Sequence, residues 1–128
     1  MTVTILYASL LALFFVFLSV RTIRMRRSLG IGLGDANNAA MTRAMRVHSN
    51  FAEYVPFSLL LLYFAESVGA PWLLMHGLGL ALLTGRGLHA FGVSREPEDY
   101  RFRVAGMSLT FFVILVSAVY LFLIALLT

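Results

Sequence analysis

The sequence predicts an all-α integral membrane protein, a bundle of four transmembrane helices forming one domain over residues 1–128. Three observations lead there. The chain is 60% hydrophobic with a mean hydropathy of +0.88, more than a short chain with a high surface-to-volume ratio can hide from water. The apolar residues fall into runs long enough to cross a hydrocarbon layer of roughly 30 Å. The ten basic residues are all arginines, and they cluster between the runs rather than forming a nucleic-acid-like stripe. No nucleic-acid partner is expected, and the arginines read as topology and ligand signals.

The first helix is expected over residues 3–28. Val3 to Val20 carry no charge, no basic segment precedes them, and the run ends on Arg21, Arg24, Arg26 and Arg27 without a small-residue cleavage site. It reads as a retained helix. Residues 30–38 combine three glycines with Asp35 and two asparagines, which is loop chemistry closing on a helix cap. No strand precedes these glycines and the chain has no lysine, so they do not make a phosphate loop.

The second helix is expected over residues 39–68, polar in its first half and apolar from Phe57 onward, and ended by Gly69. Pro71 suits the first turn of a third helix over 71–92. A short acidic turn with Pro97 leads into the fourth, over 97–127. The loop around Gly69 has no basic residue, so the positive-inside rule puts the arginine-bearing loops in the cytoplasm and both termini on the periplasmic side. The absence of cysteine and the short loops fit a bacterial inner membrane. Without cysteine the chain has no thiolate of its own, and any thiol chemistry needs a thiol brought by a ligand.

On the second helix Arg43, Arg46, Asn50 and Glu53 follow at i, i+3, i+7 and i+10, which confines them to roughly 80° of arc at 100° per residue. Phe57, Leu61 and Phe64 continue the same face, so a polar recess opens onto an apolar wall suited to an amphiphilic pair of reactants. Arginine at membrane depth costs on the order of 2.5–3.5 kcal/mol, and such groups face protein or water rather than lipid. The bland alternative is that Arg43 and Arg46 snorkel to headgroups while Glu53 pairs with Arg46 or Arg86. On the third helix Arg86 and His89 share a face, and Arg103 opens a stripe with Gly106 and Thr110 on the fourth. Arg101 points roughly 160° away from Arg103, so at most one of them faces a given pocket. His48 lies off the stripe and reads as structural or interfacial. His48, His76 and His89 lack metal-ligand spacing, and no metal site is expected. Pro56 frees the carbonyl of Ala52 and either shapes the recess or accommodates packing.

The run Arg43-Ala-Met-Arg46-Val-His48-Ser-Asn50-Phe-Ala-Glu53-Tyr-Val-Pro56 resembles the signature of the MAPEG family, the membrane-associated proteins in eicosanoid and glutathione metabolism, and the chain is most similar to its short bacterial members. Length, helix number, the Arg86-Gly-Leu-His89 segment and the Arg103-Val-Ala-Gly106 segment extend the resemblance over nearly the whole chain. It implies a homotrimer that binds glutathione between subunits near the cytoplasmic side and acts as a transferase or peroxidase on a small lipophilic electrophile reaching the site through membrane lipid. By position, Arg46, Asn50, Glu53 and His89 match glutathione-binding residues, Arg43 and Arg86 are supporting charges, and Arg21 or Arg24 reaches in from a neighbouring subunit. Arg103 matches the catalytic arginine associated with the thiol. Ser49 stands where some members have a further arginine, and Val93 and Met107 where some eicosanoid-forming members have tyrosines, which argues against an eicosanoid synthase. A non-catalytic lipid-binding or scaffold role on the same fold is the alternative. A small multidrug transporter is disfavoured, because the first helix has no charged residue before Arg21.

Overall fold

The computed structural model describes residues 2–127 as four helices: α1, Thr2–Leu29; α2, Ala39–Ser67; α3, Trp72–Ser94; and α4, Tyr100–Leu127. The ends follow local chemistry. Leu29 is followed by Gly30 at φ +66°, and the amides of Gly30 and Ile31 return to the carbonyls of Arg27 and Arg26, a Schellman closure that needs the left-handed conformation glycine adopts freely. Gly69, at φ +87°, closes α2 in the same way, its amide and that of Ala70 bonding to Glu66 and Ala65. At the start of α2 the Asn38 side chain accepts the amide of Met41 at 3.0 Å. Asp35 braces this cap by accepting the Thr42 hydroxyl at 2.7 Å, a bond that holds its carboxyl below the usual carboxylate range.

Most boundaries shift by one or two residues from the sequence expectation, and the start of α4 by three. Pro71 sits just before α3 rather than inside its first turn. α4 begins at Tyr100 rather than 97, because Asp99, not Pro97, serves its free amides: the carboxylate accepts the Arg101 N–H at 3.0 Å.

α2 and α3 touch each other, and each touches both α1 and α4, while α1 and α4 do not meet. Leu11, Leu18, Phe51, Leu62, Met75, Leu82 and Val113 fill the centre. Between α3 and α4 the backbones themselves are in contact. A Cβ at Gly106 would lie 2.5 Å from the Gly85 carbonyl oxygen and 2.6 Å from the His89 nitrogen, so only glycine permits this approach. α1 is held to α2 at two levels. Glu66 accepts the free amides of Val3 and Thr4 at 3.0 and 2.8 Å, and His48 stacks on Phe15 at 4.9 Å while sharing a 2.9 Å hydrogen bond with Ser19.

The outer faces are apolar. α1 and α4 contain windows of mean hydropathy 2.5 and 2.8 of which only 22% and 17% is buried, the reverse of a soluble core helix. α2 and α3 fall below the hydropathy of a membrane span by composition, because they carry the polar residues of the site.

Candidate functional site

At the end of the bundle where α1 and α3 finish and α2 and α4 begin, a recess of about 480 Å³ opens between α2, α3, α4 and the 95–99 turn. α2 contributes Arg43, Arg46, Asn50 and Glu53, α3 contributes His89, and α4 contributes Arg103. The i, i+3, i+7, i+10 spacing thus lines one wall, and the other helices close on it. Ser49 and Val93 also lie on the lining.

Charges in the recess are unevenly partnered. Glu98, from the turn, bridges two helices: Oε2 accepts from Arg43 Nη1 at 3.1 Å and Oε1 from Arg103 Nη1 at 3.2 Å. Burial by itself would raise the Glu98 carboxyl, but hydrogen bonds from Arg43 and Arg103 outweigh it and hold the group below its usual range. Arg43 Nη1 also donates to the Val93 carbonyl at 3.1 Å. Arg46 and Glu53 are exposed and, among the described residues, take part in no ion pair. Neither ion pair weighed from the sequence, Glu53 with Arg46 or Glu53 with Arg86, is formed among the described residues.

Arg86 does not line the recess. Only 1% exposed, it lies behind the wall and ties three helices together. Its Nη2 donates to Asn50 Oδ1 on α2 at 2.5 Å and approaches His89 Nδ1 at 3.3 Å, while Nη1 donates to Thr110 Oγ1 on α4 at 3.2 Å. A guanidinium has only donors, so the His89 Nδ1 facing it must accept; the ring's proton is then on Nε2. Asn50, its carbonyl oxygen occupied, keeps its amide NH₂ as the group free to donate. Arg86 thus acts on the recess through its neighbours rather than as a direct supporting charge.

The remaining arginines lie elsewhere within the chain. Arg21 donates to Ser94 Oγ at 2.9 Å and joins the ends of α1 and α3, while Arg24 is exposed on α1; neither lines the recess. Arg101 pairs with Asp99 at 3.3 Å with its side chain 91% exposed, so of the two α4 arginines it is Arg103 that lines the recess. The described residues contain no cluster of three or more His, Cys, Asp or Glu fit for a metal ion.

Sequence reasoning missed Glu98. The acidic residues of the turn read as partners for the first amides of α4, a role that Asp99 performs. The i, i+5 separation of Glu98 and Arg103 straddles a turn and a helix start, and no helical periodicity connects it to Arg43.

Lipid-facing helices around one cationic, hydrogen-bonding recess define an all-α membrane protein with a polar site at one end of the bundle. The chain belongs to the MAPEG family, which matches residues 4–123. Relatives include the inner membrane protein YecN of Escherichia coli (strain K12), 35% identical over 108 residues that cover 84% of this chain and 81% of that protein. The same protein from Escherichia coli O6:H1 (strain CFT073) matches at the same identity and coverage.

Proposed function

We propose that this MAPEG protein binds glutathione in the recess and uses it on lipophilic electrophiles, as a transferase or peroxidase. The observation that carries the reading is the convergence of Arg43, Arg46 and Arg103 with Asn50, Glu53 and His89 on one recess. Arginine forks match carboxylates, the Asn50 amide and the His89 Nε2–H donate to peptide carbonyls, and Glu53 accepts from an ammonium group. The Arg103 guanidinium beside the sulfur favours thiolate over thiol. The thiol proton leaves to water, and the sulfur then forms a bond to an electrophilic carbon as the leaving group departs. With a lipid hydroperoxide, two glutathiones give their disulfide, an alcohol and water.

The assembly proposed is a homotrimer with four spans per subunit, in a bacterial inner membrane, with both termini periplasmic. Arg46 and Glu53 lie exposed on the α2 face that continues through Phe57 and Phe64, which are 52% and 46% exposed. A neighbouring subunit covering that face would keep the charges off lipid, and would bring an Arg21 or Arg24 toward the recess. The relatives named inner membrane proteins and the arginine-bearing ends support the placement.

Calorimetric titration of glutathione into detergent-purified protein tests the reading. Saturable binding that Arg46→Ala and Arg103→Ala abolish is the expected result; folded protein that takes up no glutathione refutes it. One observation favours the second reading, a non-catalytic lipid-binding or scaffold protein: the Arg103 guanidinium is already engaged by Glu98. In that case a lipid binds while no electrophile is conjugated.

A further inference from the structure

We infer that Glu98 is the recess's built-in counterion, and that an anionic ligand competes with its carboxylate for Arg43 and Arg103. The inference deepens the glutathione reading and rests on the recess being an anion site.

Glu98 belongs to neither flanking helix, yet its side chain is only 9% exposed. Each of its two oxygens serves one arginine, at 3.1 and 3.2 Å, from α2 and α4 respectively. Such a bridge is the arrangement a ligand carboxylate would make between the same two side chains. The charged and titratable groups facing this point are Arg43, Arg46 and Glu53 from α2, His89 from α3 and Arg103 from α4. Three arginines against two glutamates leave a small positive balance, and neutralising Glu98 would double it.

Competition has a chemical consequence. While Glu98 holds Arg103, that guanidinium is shared with a carboxylate and gives less help to a sulfur nearby. A ligand carboxylate that takes Arg43 breaks only one arm of the bridge, so Arg103 is freed when repulsion between the two carboxylates also drives Glu98 off the second arm. The site would then activate thiols that carry a carboxylate in preference to simple alkyl thiols, and Glu98 would be the residue that makes the distinction. Arg95, Glu96 and Pro97 beside it are all exposed, so few buried side chains oppose a displacement of Glu98.

The test titrates two probes, glutathione and inorganic sulfate, into the full chain and into Glu98→Gln and Glu98→Asp. A thermal unfolding scan checks that each variant is folded. Competition predicts that Glu98→Gln binds both probes about three- to tenfold more tightly at neutral pH, with Glu98→Asp nearer the parent. Equal or weaker binding by a folded Glu98→Gln overturns the inference and makes Glu98 a residue that positions the arginines. Sulfate binding tightened by Glu98→Gln without glutathione binding in any protein keeps the inference and defeats the glutathione reading. No binding of either probe defeats both.

Discussion

The buried guanidinium of Arg86 donates to the side-chain oxygen of Asn50 across the α2–α3 contact, and so sets which end of that amide faces the recess. The same arginine reaches Thr110 on α4 at 3.2 Å, so three helices share one cation. A hydrogen bond to a charged group contributes about 1.5–3 kcal/mol, and an unpartnered buried guanidinium costs more than a neutral group. Asn50→Ala is therefore expected to destabilise the protein by about that amount, read as a lowered thermal unfolding midpoint in detergent. An unchanged midpoint would mean that water or Thr110 replaces Asn50 without loss.

Gly106→Ala is the sharpest packing test. Its Cβ would meet backbone atoms of Gly85 and His89 that cannot swing aside, so α3 and α4 must separate. Overpacking of this kind costs about 1–3 kcal/mol, and here it also shifts His89 away from Arg103. Gly87→Ala is the control: its added methyl meets nothing within 4 Å, and alanine favours the helix by about 0.5–1 kcal/mol. Thermal unfolding of the pair should move in opposite directions.

Glu66→Gln should loosen the start of α1. The carboxylate accepts the Val3 and Thr4 amides beside the positive end of the helix dipole, an interaction of about 0.3–1 kcal/mol. Faster amide exchange confined to the first turn of α1, with the middle of the helix unchanged, is the expected outcome. Uniform exchange along α1 would place the effect elsewhere.

The Glu98 bridge should be acid-labile. Its carboxyl is depressed in the folded chain, so its contribution is fully present above the unfolded value of about 4.3 and is lost as pH falls through the lower folded value. Asp35 and Asp99 are depressed as well and weaken in acid too. The difference between the parent chain and Glu98→Gln isolates the bridge. Hydrogen exchange over residues 94–99 should separate the two proteins at neutral pH and converge in strong acid.

Helix ends and the α2 stripe were legible because their causes are local. Gly30 and Gly69 end helices through their own backbone freedom, Asn38 caps the helix immediately following it, and 100° per residue places Arg43, Arg46, Asn50 and Glu53 on one side wherever the helix packs. The outward apolar faces of α1 and α4 follow equally from composition, since a chain of this length has no core to absorb them.

The partners of those residues depend on contacts between helices far apart in sequence, and no periodicity encodes them. Arg86 and His89 share a face of α3, but only the backbone contact at Gly85 and Gly106 puts Thr110 within reach of Arg86 and turns a candidate ligand charge into a buried tie. Glu98 and Arg43 are 55 positions apart, and they meet because the α3–α4 turn folds over the start of α2. The sequence by itself determined the helices, their ends and the polar stripe, since each rests on interactions within a few residues. Which arginine is free, which is buried and which is already paired was decided by tertiary structure, because charge pairing depends on distance in space.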